Sequence, residues 1–91
     1  MELSIVTTMY YSQNYLREFY NRTLAVVREL NLSYEFIFVD DGSPDDSLIT
    51  ALTLQGVDPN IKVVELSRNY GHQRAIMTGL QYASGKSIFL I

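Results

Sequence analysis

The sequence contains no cysteine and only two prolines among its 91 residues. The missing thiols exclude a disulfide framework, a thiolate metal site and a thiol nucleophile, and they are compatible with a reducing compartment. No apolar run approaches the roughly 20 residues of a membrane-spanning helix. Met1-Glu2 lacks the basic stretch that opens a secretory signal. We therefore expect a location in the cytoplasm, or at the cytoplasmic face of a membrane for the full-length protein.

Basic residues are also in the minority. Seven Lys and Arg residues face ten Asp and Glu residues, which gives a net charge of -3. This acidity argues against a nucleic-acid partner, which would require a basic face. The basic residues are concentrated late in the chain, near Arg68 and Arg74. That local patch is compatible with a phosphate contact or with the ordinary charges of a solvated helix.

The hydrophobic pattern predicts strands that alternate with helices. The expected strands are Leu3–Thr8, Tyr34–Val39, Ile61–Leu66 and Ser87–Ile91, and the expected helices lie within Ser12–Asn31, Asp45–Leu54 and His72–Ala83. The order β-α-β-α-β-α-β implies a parallel sheet with helices on its faces. The fold class is therefore α/β, with three α/β/α layers, and residues 1–91 make at most one domain.

Local signals suggest where the helices begin and end. Ser12 and Ser43 are good N-cap residues, Pro44 suits a first helical position, and Asn31 is a plausible stop. Gly85 fits a helix C-cap. Asp45 and Asp46 would complement the positive end of the helix dipole, which explains them without a function.

The last residues, Ser87 to Ile91, form an apolar strand pattern with no turn or cap after it. Natural domains rarely stop where a strand would deliver its functional residues. We therefore expect a piece of a larger domain, truncated in the fourth strand.

The most informative motif is the acidic pair Asp40-Asp41, which directly follows the second strand. Open α/β sheets place their ligand crevice at the carboxyl ends of the strands. Two adjacent like charges repel each other unless a ligand, a cation or a donor group uses them. This pair is therefore the first candidate for a binding site.

Polar side chains also follow the first and third strands, and parallel strands bring such loops to one edge. The loops contain Thr7, Thr8, Tyr10, Tyr11 and Ser12 after the first strand, and residues 67–74 after the third. An aromatic ring can stack on a base, a carboxylate can accept its N–H groups, and guanidinium groups or helix N–H groups can hold phosphate. Together they have the chemistry of a nucleotide site. His72 is more typical of a helix start than of a catalyst, and Gly71 and Gly79 suit helix–sheet packing as well as phosphate approach.

Three motifs resemble family 2 glycosyltransferases of the GT-A type, whose nucleotide-binding half is Rossmann-like. They most resemble the branch that transfers a sugar from a nucleotide to a polyprenyl or dolichyl phosphate. The matching segments are Leu3–Tyr10, Phe38–Ser47 and Leu66–His72, the last followed by Ala75, Gly79, Ala83 and Gly85.

The resemblance implies a nucleotide-sugar site for UDP- or GDP-sugars and a role in cell-envelope polysaccharide synthesis. The turn with Thr8 and Tyr10 and the pair Asp40 and Asp41 would hold the base and ribose. The segment with Arg68, Asn69 and Arg74 would lie near the base or the phosphates.

The resemblance also implies an Asp-x-Asp motif after Ile91 that binds Mg²⁺ or Mn²⁺ against the diphosphate. We accordingly expect no catalytic residue and no metal ligand set within these 91 residues, and no activity from them alone. The sequence departs from the family pattern at Thr8, where proline is common, and at Tyr11-Ser12, where Asn-Glu is common. These changes leave the identity of the base open.

Two other functions remain as alternatives. A receiver-like signalling domain would place its acidic pair after the first strand, where this chain has Thr7-Thr8. A non-catalytic interaction module would use the same scaffold, and an open sheet edge would favour self-association.

Overall fold

The computed structural model describes all residues from Met1 to Ile91. It contains the seven elements in the predicted order. They are β1 (Leu3–Met9), α1 (Leu16–Glu29), β2 (Tyr34–Asp40), α2 (Ser47–Val57), β3 (Ile61–Glu65), α3 (His72–Tyr82) and β4 (Ser87–Leu90). None of the three helices combines the length and the apolar character that crossing a membrane requires.

The four strands form one sheet in the order β3-β2-β1-β4, and every neighbouring pair is parallel. β1 and β2 are central, with Leu3 opposite Tyr34 and Met9 opposite Asp40. The α/β class with a parallel sheet is therefore confirmed. The carboxyl ends of β1, β2 and β3 lie at one edge, which we call the carboxyl edge.

The sheet is covered on both faces, as its continuous apolar strands predict. On one face, α1 and α2 pack on β1 and β2 around Ile5, Phe36 and Phe38, all fully buried. On the other face, α3 packs on Val6 and Val39. The three-layer α/β/α arrangement follows. Gly79 of α3 has no room for a side chain, because a Cβ there would lie 2.5 Å from a methyl carbon of Val6.

One predicted helix end is confirmed, at Asn31. Asn31 has a φ of 56°, and its N–H donates to the carbonyl of Arg28 while the N–H of Leu32 donates to Val27. This pair of bonds is a Schellman motif, which satisfies carbonyls at the end of α1.

The other three predicted caps are wrong. α1 begins at Leu16 after Tyr15 and α2 begins at Ser47 after Asp46, and neither helix has a side-chain cap. The hydroxyls of Ser12 and Ser43 do not cap because each lies in a loop bonded to other groups. Gly85 lies beyond the end of α3, and a Cβ there would be 2.6 Å from the backbone nitrogen of Ser4. It therefore permits a close approach to β1.

Candidate functional site

The loop after β2 contacts the loop after β3 at the carboxyl edge. The backbone N–H of Tyr70 donates to Oδ1 of Asp41 across 2.9 Å. Gly42 has a φ of +65°, and a Cβ on it would lie 2.3 Å from the backbone nitrogen of Asn69. Only glycine permits this conformation and this contact together. The segment with Arg68 and Asn69 is therefore fixed beside the acidic pair.

The two carboxylates of the acidic pair are both buried, with 4% of Asp40 and 3% of Asp41 exposed. Asp40 accepts a 3.2 Å hydrogen bond from the N–H of Ser43 in its own loop. Burial raises the pKa of Asp40, and the neighbouring charges of Glu65, Asp45 and Asp41 raise it further, against the lowering effect of the Ser43 N–H.

The pair therefore has separate partners, one in the β2–α2 loop and one in the β3–α3 loop. The repulsion between the two carboxylates is relieved in part by these two backbone N–H donors. Each donor occupies only one oxygen, and a carboxylate offers about four acceptor positions. Oδ2 of Asp41 therefore keeps its lone pairs for a further donor.

The turn after β1 carries exposed aromatic rings. Tyr10 and Tyr11 are about half exposed, and their rings meet edge to face with centroids 4.8 Å apart. Tyr11 has a φ of 57°, in the left-handed region, which disfavours residues with a Cβ, Asn and Asp less than others. The Asn that is common at this position in the family that the sequence resembles would adopt that conformation more easily.

Thr8 connects the end of β1 to the start of α3. Its hydroxyl lies 2.9 Å from Nδ1 of His72, the first residue of that helix. Either group can donate, according to the tautomer of the imidazole. His72 therefore joins the two elements, and no carboxylate bonds its other ring nitrogen as a catalytic triad would require.

Two guanidinium groups lie over one tyrosine ring in the β3–α3 segment. The central carbon of Arg68 is 4.9 Å and that of Arg74 is 5.8 Å from the ring centroid of Tyr70. The two salt bridges of the chain, Arg22–Glu18 and Lys62–Glu35, involve neither arginine. Hydrogen bonding to Ser67 and Arg68, together with the charges of Arg68 and Arg74, lowers the pKa of Tyr70.

Tyr70 was not predicted as a site residue, although it lies within the predicted segment. The spacing Arg68-x-Tyr70-x-x-x-Arg74 was a signal for it, since arginines stack readily on aromatic faces. The two guanidinium groups therefore form a local positive surface that no carboxylate neutralises, and such a surface can bind an anion.

Only two of the seven predicted site residues border a cavity, and each borders a different one. Thr8 lines a cavity of about 250 Å³ with Ser12, Tyr15 and Ile91. Arg74 lines another of about 240 Å³ with Tyr70 and Thr78. Asp40 and Asp41 line neither, and nor do Tyr10, Arg68 and Asn69. The three loops are in contact at one edge, but no single cavity gathers these residues.

The acidic pair does not form a metal site with the residues of this chain. No group of three or more His, Asp or Glu side chains lies close enough to hold a metal ion. Asp40 and Asp41 each use one oxygen on a backbone N–H, whereas Mg²⁺ requires near-octahedral oxygen ligands. Residues 1–91 therefore do not fit a divalent cation.

Comparison with known proteins identifies the family to which the chain belongs. The family model described as "Glycosyl transferase family 2" matches residues 4–91. A Mycobacterium tuberculosis protein named among the glycosyltransferases is 53% identical over 91 residues, which are 100% of this chain and 27% of that protein. The undecaprenyl-phosphate 4-deoxy-4-formamido-L-arabinose transferase of Sodalis glossinidius is 39% identical over 85 residues, 92% of this chain and 26% of the relative. The chain thus spans about a quarter of the length of these relatives.

Solved structures share the fold. S. aureus TarS 1-349 in complex with UDP-GlcNAc has a TM-score of 0.83 and 26% sequence identity, covering 100% of this chain and 26% of the TarS 1-349 chain. The mannosyltransferase PcManGT from Pyrobaculum calidifontis, in complex with GDP-Man and Mn²⁺, has a TM-score of 0.77 and 20% identity, covering 96% of this chain and 26% of that protein. The second likeness, at its lower identity, shows the fold alone.

Proposed function

Because the chain belongs to glycosyl transferase family 2, we propose that residues 1–91 bind the nucleotide-sugar donor of a glycosyltransferase. The longer protein of which we expect them to be part, called here the full-length protein, would transfer the sugar to an acceptor. The observation that carries this proposal is the family match over residues 4–91, combined with the contact of three polar loops at the carboxyl edge. Residues 1–91 alone would transfer no sugar.

The donor is a UDP- or GDP-sugar in this proposal. TarS binds UDP-GlcNAc in its solved complex, and PcManGT, a neighbour in fold, is a complex with GDP-Man. Tyr10 would stack on the base, and the free oxygen of Asp41 would accept a base N–H. The unpaired guanidinium groups of Arg68 and Arg74 suit the phosphates.

Thr8, Asp40 and Asn69 complete the proposed donor site. Thr8 and Asp40 lie at the ends of the two central strands, and Asn69 lies against Gly42 in the β2–α2 loop. They would contact the ribose or the base, since hydroxyl, carboxylate and amide groups all pair with ribose hydroxyls.

The proposed acceptor is a polyprenyl phosphate. The Sodalis glossinidius relative is named for transfer to undecaprenyl phosphate, and it is 39% identical to this chain. Such an acceptor lies in a membrane, so the proposed location is the cytoplasm or the cytoplasmic face of the membrane. A role in cell-envelope polysaccharide synthesis would follow.

Mg²⁺ or Mn²⁺ remains the cofactor proposed for the full-length protein. Its ligands would come from outside residues 1–91, because these residues do not fit the ion. The PcManGT complex contains Mn²⁺. When bound, the ion would supply charge stabilisation to a diphosphate leaving group.

The two alternatives are not favoured. A receiver-like domain would require acidic residues after β1, where Tyr10, Tyr11 and Ser12 lie instead. A non-catalytic interaction module is supported by the open edge at β4 alone, whereas the named relatives are glycosyltransferases.

Isothermal titration calorimetry of the full-length protein with UDP, GDP and their sugars tests the proposal. We expect one of the two nucleotides to bind. Asp41→Ala should weaken it at least about tenfold, the equivalent of roughly 1.4 kcal/mol for a lost charge-assisted hydrogen bond. Tyr10→Ala should weaken it by a similar factor through lost base stacking, while Tyr10→Phe retains the ring and the affinity.

Asp46→Ala is the matched control for Asp41→Ala, because Asp46 is exposed and its side chain makes no capping bond. It should leave the affinity unchanged. A full-length protein that binds neither nucleotide, or an Asp41→Ala variant with unaltered affinity, would contradict the proposed donor site.

A further inference from the structure

The turn after β1 is tied to the loop after β2 through the carboxylate of Asp45. Oδ1 of Asp45 accepts the hydroxyl of Ser43, the hydroxyl of Ser47 at 2.6 Å and the N–H of Ser47 at 3.1 Å. Oδ2 accepts the backbone N–H of Gln13 at 3.3 Å. One side chain therefore joins segments that are 32 residues apart.

The hydroxyls of Ser43 and Ser47 link Asp45 to the backbone of the turn after β1. A hydroxyl has a single proton and two acceptor lone pairs. Because Ser43 and Ser47 give their protons to Asp45, their lone pairs point to other donors. Ser43 accepts the N–H of Tyr11 at 2.8 Å, and Ser47 accepts the N–H of Ser12 at 2.9 Å. Three successive N–H groups, at residues 11 to 13, thus bond to this cluster.

The backbone held by this cluster is unfavourable in isolation. Tyr11 has a φ of 57°, and a non-glycine residue in that region persists only where its surroundings over-determine it. The hydrogen bonds that Tyr11 and Ser12 donate to the hydroxyls of Ser43 and Ser47 provide those surroundings. The same turn positions Tyr10, which precedes Tyr11 and whose ring meets that of Tyr11 edge to face.

The cluster works as an anion surrounded by donors. Burial raises the pKa of Asp45, but the hydrogen bonds from Ser43, Ser47 and Gln13 outweigh it and bring the value down to about 2. Asp45 is therefore charged at neutral pH. Charge-assisted hydrogen bonds are roughly twice as strong as neutral ones, so a single carboxylate can organise both serines.

We propose that Asp45 is a positioning residue for the donor site, holding the Tyr10–Tyr11 turn so that the aromatic ring meets the nucleobase. This rests on the proposed function for its ligand, but the hold on the turn does not. Asp45 touches neither base nor sugar in this proposal. It acts through Ser43 and Ser47, and the sequence pattern Ser-x-Asp-x-Ser at residues 43 to 47 is its signature.

The hold on the turn is measured by amide hydrogen exchange at single-residue resolution. In Asp45→Ala, the amides of Tyr11 and Ser12 should exchange at least about tenfold faster, since their acceptors lose orientation. In Asp46→Ala, the matched control, both rates should be unchanged. Unaltered rates in Asp45→Ala would overturn the inference, whatever the protein binds.

The consequence for binding is measured with whichever of UDP and GDP binds, and with its nucleoside. For the full-length Asp45→Ala variant, we expect both affinities to fall by the same factor, about tenfold, because the turn contacts the base. Asp45→Asn retains one acceptor oxygen and should lose less. A nucleotide affinity that falls while the nucleoside affinity is unchanged would overturn the assignment to the base.

Two safeguards keep the outcomes separate. If Asp45→Ala does not fold, Ser43→Ala removes the acceptor of the Tyr11 N–H and one donor to Asp45. Ser47 still accepts the Ser12 N–H, so the amide of Tyr11 should be released more than that of Ser12. If the wild-type full-length protein binds neither UDP nor GDP, the proposed function and the base-positioning role are both overturned. The exchange rates then still decide whether Asp45 holds the turn.

Discussion

Asp41 accepts a 2.9 Å hydrogen bond from the backbone N–H of Tyr70, 29 residues further along the chain. Tyr70 is also the ring over which Arg68 and Arg74 lie. A carboxylate at the end of β2 therefore fixes the segment that carries two unpaired cations. This hydrogen bond fixes the position of a carboxylate suited to a base relative to two guanidinium groups suited to phosphates.

Asp40→Asn should stabilise the chain and impair donor binding. Burial and three neighbouring carboxylates disfavour the charge of Asp40, and an Asn oxygen can still accept the Ser43 N–H. We expect a gain of about 0.5 kcal/mol, or roughly 2–4 °C in Tm. Opposite changes in stability and affinity are typical of residues retained for function. Thermal unfolding together with calorimetry checks both, and a Tm that falls would contradict the account of this carboxylate.

Gly42→Ala should damage the site and the fold together. The new Cβ would lie 2.3 Å from a backbone nitrogen, in a residue with a φ of +65°, so the two loops must separate. We expect a loss of about 1–3 kcal/mol in urea unfolding and weaker nucleotide binding. Gly56→Ala is the control, because a Cβ in that part of α2 meets nothing within 4 Å and should stabilise by about 0.4–1 kcal/mol. Equal effects of the two substitutions would contradict the loop contact.

Most of the fold could be predicted because it depends on local pattern. β2 contains four consecutive apolar residues, Phe36 to Val39, which suit a strand covered on both faces. The helix N-caps could not be predicted, because Ser43 was judged by its sequence neighbours alone. Its hydroxyl instead pairs with Asp45 and with the N–H of Tyr11, 32 residues away. The hydrogen-bond partners of a hydroxyl depend on which groups the fold brings close to it, and the local sequence does not contain that information.

The sequence predicted which loops carry the candidate site, but it did not predict the contacts between them. Asp40 and Asp41 follow a strand, and topology alone brings the strand ends to one edge. Their partners, the N–H groups of Ser43 and Tyr70, depend on how two loops fold against each other. Glu35 was not singled out for the same reason, since Ser4, Lys62 and Ser84 reach it from three separate segments.

Glu35 should make the stability depend on pH. It is buried and accepts bonds from Ser4 at 2.6 Å and Ser84 at 2.7 Å, with Lys62 at 2.9 Å. Burial raises its pKa, but these bonds dominate and lower the value from 4.5 to about 2. The folded state thus binds fewer protons than the unfolded state between these values. Its stabilisation is complete above about pH 4.5 and is lost as the pH falls towards 2.

Glu35→Gln isolates this effect from the other carboxylates. At pH 7 the variant should be less stable by about 2–3 kcal/mol, because a charge-assisted bond is lost and a buried amide is poorly matched. The difference should shrink as urea unfolding is repeated from pH 5 to pH 2.5. If wild type and variant lost stability in parallel, the pH dependence would have to arise elsewhere.

The open edge at β4 predicts self-association of these 91 residues. β4 pairs with β1 alone, carries no charge and exposes apolar side chains, with Phe89 60% exposed. Edge strands of this kind pair with other chains, and charged residues prevent it. Light scattering should show association that Phe89→Lys abolishes. Val57→Lys, at a site 79% exposed in α2, should leave it intact, and a wild-type monomer at high concentration would contradict the prediction.

Amide hydrogen exchange of the full-length protein, with and without saturating UDP or GDP, tests the central claim most directly. If one nucleotide lies across the carboxyl edge, segments 8–13, 40–47 and 67–74 should all become protected on addition of the same ligand, while the amides around Glu35 at the opposite edge keep their rates. Protection confined to one of these loops, or located at the opposite edge, would contradict a shared nucleotide site.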